Sequence, residues 1–288
     1  MLFCPTNTGR KGEGGLRTKG YFKISDADKP LVSVITVVFN GERYLEDAIM
    51  SVIEQTYDNV EYVIIDGGST DKTLDIIRRY ENLIDYWVSE PDNGISDAFN
   101  KGIKLQTGDL VGILNADDWY EKDCIETVVG KLGDGDVFHG QIRHWEGDKI
   151  YNVYYPNHLR LPLAMTINHP TVFVKKQVYN CHGLFRLDYR CAMDYELLLR
   201  FYTNNVKFIY IEKVLANMRG GGYSAMFGLE GFKEIKKAKI DHLRNPFSAY
   251  VYFLAQVIKY KLSFFLIKIG FTFLVNFYRK YFSVVKQY

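Results

Sequence analysis

The sequence predicts an α/β fold built on a mostly parallel sheet with helices on both faces, and three observations predict it. Apolar runs rich in β-branched residues alternate with segments of helical period from Leu31 onward. Those runs are continuously apolar rather than alternating, the pattern of strands buried on both faces. Each run also stops abruptly at polar and small residues, and in open α/β sheets ligands bind where strands end in that way.

Composition frames this reading. The 288 residues are 47% apolar and 24% charged, which describes a globular protein with a sizeable core. Residues 31–120 carry 17 acidic against 6 basic side chains, a poor surface for nucleic acid and a plausible one for a cation. Residues 246–288 reverse the sign, with 6 basic side chains and no acid. Cys4, Cys124, Cys181 and Cys191 have no metal-ligand spacing and read as reduced thiols of a cytoplasmic protein, and no apolar leader is expected at the N-terminus.

Three regions are expected: a polar, irregular arm over 1–30, a catalytic domain over 31–225 and a helical, basic-aromatic extension over 226–288. Leu31 to Phe39 reads as the first strand, ended by Asn40-Gly41. Tyr44, Leu45, Ala48, Ile49, Val52 and Ile53 recur at helical spacing. Val60 to Ile65 is the second strand, stopping at Asp66-Gly67-Gly68-Ser69-Thr70-Asp71 before a helix to about Tyr80. A short third strand over 84–88 precedes a polar loop and a helix through Lys104. Val111 to Leu114 is the next strand, and it delivers Asn115-Ala116-Asp117-Asp118. Beyond it the sequence predicts strands near Val137, Ile142 and Val153 with a hairpin across Glu146-Gly147-Asp148. A strand over 171–174, a helix over 193–202, a final strand over 206–211 and a glycine loop over 220–222 follow.

Asp117 and Asp118 admit two readings, a divalent cation site or a cap for the helix beginning near Glu121. A dinucleotide fold is excluded, because the turn after the first strand, Asn40-Gly41-Glu42-Arg43, has a single glycine where G-x-G-x-x-G is needed. A Walker A loop is absent as well.

Four segments in order, Val34 to Asn40, Ile64 to Asp71, Asp92 to Gly102 and Leu114 to Asp118, resemble the motifs of family 2 glycosyltransferases. The resemblance runs from Leu31 to Tyr120 and more weakly to Phe208. It implies a GT-A fold, a nucleotide-sugar donor with a lean to uridine, a divalent cation (Mn²⁺ or Mg²⁺) and inversion at the anomeric carbon. By position it places Thr36, Val38 and Phe39 along the nucleotide and Asp66 at the base or ribose. The Asn115-Ala116-Asp117 segment stands at the D-x-D motif. Asn115 departs from that motif by offering a neutral ligand, which leaves Asp117 and Asp118 to meet the metal. Asp194, opening the late helix, matches the catalytic base; as a residue alone it also reads as a carboxylate interacting with the helix N-terminus, and Glu196, two residues on and pointing away on the helix, is the reserve. His169 reads either as a structural histidine or as a ligand of metal or diphosphate. Asp92 and Lys101 are expected at the sheet edge as substrate contacts.

In the tail, no charge-free run beyond Lys261 exceeds ten residues, against the roughly twenty a bilayer span needs. Lys261, Lys268, Thr272, Asn276 and Arg279 fall on one helical stripe opposite Phe264, Phe265, Ile269, Phe273 and Phe277. That predicts peripheral contact with the inner face of the cell membrane. The expected activity is one sugar transfer from a nucleotide-sugar to a saccharide or polyprenyl-diphosphate-linked acceptor for surface glycan, by a chain that self-associates. The other readings are a non-catalytic nucleotide-sugar-binding subunit and a nucleotidyltransferase.

Overall fold

The computed structural model describes residues 1–220, 228–274 and 277. Gly221 and Gly222 of the glycine loop, and Asn276 and Arg279 of the tail stripe, lie outside the described residues. In chain order the elements are β1 (Gly12–Gly14), β2 (Val32–Val38), α1 (Leu45–Ile53), β3 (Val60–Asp66), α2 (Thr73–Arg79), β4 (Tyr86–Ser89), α3 (Ile95–Leu105), β5 (Leu110–Asn115), β6 (Trp119–Tyr120) and α4 (Cys124–Val129). Then come β7 (Val137–Glu146), β8 (Lys149–Tyr154), β9 (Phe173–Lys175), α5 (Lys176–His182), α6 (Met193–Thr203), β10 (Phe208–Arg219), α7 (Gly228–Leu243) and α8 (Pro246–Lys268).

The sheet runs β1-β4-β3-β2-β5-β9-β7-β10-β6, with β8 paired to β7. Its β4-β3-β2-β5 block is parallel, as the alternating pattern requires, and antiparallel pairings extend it on both sides. The parallel strands are apolar throughout because both faces are covered. Ile35, Val63 and Ile113 face α3 and α6 in one core, whereas Val34, Ile64 and Leu114 face α1, α2 and α4 in the other. Helix α3 lies so close to β2 that a Cβ at Gly102 would stand 2.3 Å from Ile35 Cγ2. Register then sets the functional edge. Val37 pairs with both Ile65 and Asn115, so β2, β3 and β5 finish together and present their following residues side by side.

The second half is more regular than its sequence suggests. Val137 and Ile142 belong to one ten-residue strand, β7, which forms the expected hairpin with β8. The final strand, β10, extends eight residues past Ile211, tolerating irregular register against β7.

Residues 1–30 depart from the irregular arm expected of them. Gly12 and Gly14 serve close approach rather than flexibility: they let β1 pass over the Trp87 ring, where an added Cβ would lie 3.0 Å from Cη2 at Gly12 and 2.7 Å from Nε1 at Gly14. Arg17 then inserts its guanidinium, 2.5 Å from Glu61 Oε1, with both side chains buried, and donates to the Leu105 carbonyl at 2.8 Å. Glu61 also accepts from Ser33 Oγ (2.5 Å) and the Thr107 amide (2.8 Å). Lys11 Nζ donates to the carbonyls of Gly68 (2.8 Å) and Ser69 (2.9 Å), tying the arm to the turn after β3.

The extension packs as two helices. On α8, Ala249 is buried, and Tyr250 and Phe253 take Lys236 of α7 at 4.6 and 4.8 Å from their ring centroids. Phe232 of α7 meets Tyr260 edge-on at 6.1 Å. Phe247, Val251, Leu254, Ile258, Leu262 and Phe265 remain exposed. Two tail expectations need correction. The helix starts at Pro246, so its 23 residues are long and apolar enough, by length and composition, to cross a membrane; counting only beyond Lys261 missed this. The cationic and aromatic stripes also do not share one continuous helix, because α8 stops at Lys268 and Gly270 turns the backbone at φ 86°.

Replacing Arg17 by Ala should strand the buried Glu61 carboxylate and cost about 3–5 kcal/mol. Urea unfolding measures it: a midpoint within error of wild type would mean that the arm is not integral to the fold.

Candidate active site

Strand β5 ends at Asn115, and the chain turns so that the Asp118 amide donates back to the Asn115 carbonyl at 3.2 Å. Asp118 is thereby buried, at 2% exposure, accepting from Asn115 Nδ2 (3.1 Å) and the Arg219 amide (3.3 Å). Asp117 stays half-buried. Neither caps the following helix: α4 begins only at Cys124, with Asp123 in the cap position, and β6 intervenes. Burial pushes both carboxyls above the usual carboxylate range, and the neighbouring Asp117 charge adds to the rise at Asp118.

Arg219, the last residue of β10, closes over this turn. Its Nη1 donates to the Asp117 carbonyl (2.7 Å), its Nη2 to Asp47 (2.6 Å), and its guanidinium carbon lies 4.3 Å from both the Tyr44 and Trp119 ring centroids. Behind it opens a cavity of about 580 Å³, within the usual range for small-molecule sites.

Eight residues singled out from the sequence line that cavity: Val38, Phe39, Asn115, Ala116, Asp117, Asp118, His169 and Asp194. Four do not. Thr36 points into the sheet layer and accepts from the Tyr62 hydroxyl at 3.0 Å. Asp66 is fully buried, accepting from Ser69 and from Ser89 Oγ (2.5 Å), so its carboxylate orders the turn that the arm also holds. Asp92 and Lys101 pair with each other at 2.6 Å, and Lys101 also reaches Glu90 at 3.2 Å. These polar groups lie at the correct sheet edge, yet partners within the chain occupy them.

Asp194 sits in the first turn of α6 with one carboxylate oxygen accepting from the Tyr195 amide at 2.8 Å. Burial raises its pKa to about 6. The helix N-terminus is served instead by Glu234 of α7, which accepts from the amides of Arg190 (2.9 Å), Cys191 (2.8 Å) and Ala192 (2.8 Å). Glu196 is occupied: it is fully buried and bonded to His242 (2.8 Å) and Arg200 (3.1 Å). His169 packs against the Phe99 and Phe185 rings at 5.3 and 5.7 Å, and burial lowers its pKa to about 4, so the imidazole is neutral at pH 7.

The donor set suits a hard divalent cation in part. Asp117 and Asp118 are adjacent carboxylates whose ionisation burial disfavours, the situation a cation relieves. Among the described residues no three His, Cys, Asp or Glu side chains form a ready metal cluster, so Asp117, Asp118 and His169 are not a closed coordination set.

Sequence reasoning missed Asn40, Arg43, Tyr44, Phe99, Met193, Met218 and Arg219 in the wall. For Arg219 a signal existed, as a cation at a strand end just ahead of three glycines. For Tyr44 and Phe99 there was none, because each fits a helical core stripe equally well.

Comparison with known proteins matches residues 33–199 to the profile described as glycosyl transferase family 2. A PGL/p-HBAD biosynthesis glycosyltransferase of Mycobacterium bovis is 30% identical over 190 residues, covering 61% of this chain and 71% of that protein. An uncharacterized glycosyltransferase of Rickettsia typhi is 31% identical over 187 residues, with 60% and 58% covered. In fold, the chain resembles S. aureus TarS 1-349 in complex with UDP-GlcNAc, at TM-score 0.61 and 19% identity, covering 81% of this chain and 73% of that one. It spans 44% of the longer TarS chain. The mannosyltransferase PcManGT of Pyrobaculum calidifontis, in complex with GDP-Man and Mn²⁺, gives TM-score 0.61 at 21% identity, covering 83% and 74%.

Substituting Glu234 by Ala should release the amides of Cys191 and Ala192, lower stability by about 1–3 kcal/mol and speed hydrogen exchange at both. Unchanged exchange there would show that α7 does not hold the Asp194 turn.

Proposed function

The chain belongs to glycosyl transferase family 2, a glycosyltransferase of GT-A fold, and from that premise we propose that it transfers one sugar, with inversion, from a UDP-sugar to an acceptor hydroxyl. The observation that carries this reading is that Asp117 at the end of β5 and Asp194 at the start of α6 face one cavity. UDP-GlcNAc and GDP-Man in the structural relatives support a nucleotide-sugar in that cavity, and Mn²⁺ in one of them supports a divalent cation.

Val38 and Phe39 form the wall beside which the nucleotide lies. Asp117 and Asp118 are the residues that would hold a cation, together with donor diphosphate oxygens. That ion would supply positive charge to the departing diphosphate. Arg43 and Arg219 line the same cavity and add to the charge there. The acceptor oxygen attacks the anomeric carbon on the face opposite the diphosphate. Its proton passes to the Asp194 carboxylate as the carbon–oxygen bond to the diphosphate breaks. A base needs its ionised form, and a pKa near 6 leaves Asp194 ionised at pH 7 yet more basic than an ordinary aspartate.

Asn115 favours a second reading, a protein that binds nucleotide-sugar without transferring it, since its amide donates to Asp118 and adds no charge. Turnover separates the two: neither hydrolysis nor transfer would accompany binding.

The exposed apolar stripe of α8, with Lys259, Lys261 and Lys268 nearby and no acid, supports contact with an anionic membrane surface on the cytoplasmic side. A lipid-linked saccharide for surface glycan would suit an enzyme held there.

Asp194→Asn should lower kcat by about 10²–10⁴-fold while leaving donor affinity in place. In the wild type, kcat/KM should fall as pH drops through about 6, because protonation removes the base. A flat profile between pH 5 and 7 would rule Asp194 out of that role. A UDP-sugar with Mn²⁺ should raise the melting temperature by mass action, with GDP- and dTDP-sugars as comparisons. Asp117→Ala should abolish the Mn²⁺-dependent part; an undiminished shift would place the cation elsewhere.

A further inference from the structure

The arm over residues 1–30 lies outside residues 33–199, the stretch that matches the family profile, and the transfer chemistry above makes no use of it. Two successive cations of that arm, Arg10 and Lys11, nevertheless meet both loops at the functional edge of the sheet. The Lys11 amide donates to the Ser89 carbonyl at 2.8 Å, at the end of β4. Its ammonium then crosses to the neighbouring loop and donates to the carbonyls of Gly68 and Ser69. Arg10 donates to Glu90 from Nε (3.1 Å) and Nη2 (2.9 Å), and Glu90 also takes Lys101.

What the Gly68–Ser69 turn holds is the wall of the cavity. Ser69 Oγ donates to Asp66 and accepts from the Asn40 amide at 2.8 Å, while Asn40 Oδ1 accepts from the Thr70 amide at 2.8 Å. Asn40 has φ 53°, in the left-handed region that any residue but glycine enters at a cost, and those two bonds hold it there. Val38, Phe39 and Asn40 all line the cavity. The Phe39 ring is 66% exposed, so with little packed around it the ring takes its direction from that backbone. The turn itself carries two adjacent glycines, Gly67 and Gly68, the latter at φ 82°, and glycine backbone loses the most freedom on ordering. A cation donating to two consecutive carbonyls fixes such a turn from outside, through charge-assisted bonds stronger than neutral ones.

We propose that Lys11 is a positioning residue for the nucleotide: its ammonium holds the Gly68–Ser69 turn, which holds Asn40 in its left-handed conformation and Phe39 against the cavity. The inference rests on the UDP-sugar reading and extends it to a residue of the arm that touches no substrate. Lys23 supplies the contrast. It is also a lysine of the arm, but it donates to the Val60 carbonyl and to Asp85 (2.9 Å), at the ends of β3 and β4 remote from the cavity.

The test titrates UDP with Mn²⁺ into the full chain by calorimetry, for wild type, Lys11→Ala, Lys11→Arg and Lys23→Ala. Losing charge-assisted bonds that order a binding wall should weaken UDP on the order of tenfold in Lys11→Ala. Lys11→Arg keeps donors for both carbonyls and should stay within about twofold of wild type. Lys23→Ala should bind as wild type does. Amide hydrogen exchange without nucleotide gives a second readout: the Asn40 and Thr70 amides should exchange faster in Lys11→Ala and not in Lys23→Ala. Wild-type affinity in Lys11→Ala, an equal loss in Lys23→Ala, or no recovery in Lys11→Arg would each overturn the proposal, as would unchanged exchange at Asn40 and Thr70. Failure of UDP to bind wild type would sink the UDP-sugar reading instead, and exchange at those two amides then decides whether Lys11 holds the turn.

Discussion

The site depends on one clasp. Asp118, a carboxylate taken almost wholly out of water, is satisfied by an amide from its own turn and by the backbone of Arg219, 101 residues further on. An isolated carboxylate in that position would be expensive to ionise, and this pairing lowers the cost while fixing β5 against the end of β10. Arg219 then spreads its charge over the Asp117 carbonyl, the Asp47 carboxylate and two aromatic faces. With that one residue in place, the cavity at the strand ends and the carboxylate pair share a common wall.

The half of the molecule built on the parallel block was legible from sequence because its signals are local. Continuous β-branched runs mark strands covered on both faces, and their polar stops mark the edge where Val38, Asn115 and Asp117 emerge. What those signals do not carry is side-chain direction at a fixed sheet edge. Asp66 and Thr36 lie on the right strands but point into the protein, and only three-dimensional partners such as Ser89 and Tyr62 decide that. The arm was illegible for a related reason. Its glycines look like punctuation, yet their use is the contact with Trp87, more than 70 residues away.

Asp194 shows how a carboxylate at a helix start can keep a face on a cavity. It accepts from the Tyr195 amide alone, because Glu234 of α7 takes the amides of Arg190, Cys191 and Ala192. Asp194 can then face the cavity, where burial raises its proton affinity. Glu196 is removed from contention by His242, again on α7. The helical extension therefore sorts the three carboxylates into one that lines the cavity and two structural groups, a role unrelated to whatever its apolar outer stripe touches.

The long sequence interval inside the clasp has a consequence for biosynthesis. The parallel block and its β1 edge are made first and can pair as they leave the ribosome, but among the described residues β6 pairs with β10 alone. At about 5–20 residues per second, the Asp118 carboxylate waits on the order of 5–20 s for the amide that completes it. Throughout that interval the nascent chain has the strand-end framework without the arginine that closes it. A translating polypeptide therefore forms the β4-β3-β2-β5 edge well before the residue that completes its cavity has been made.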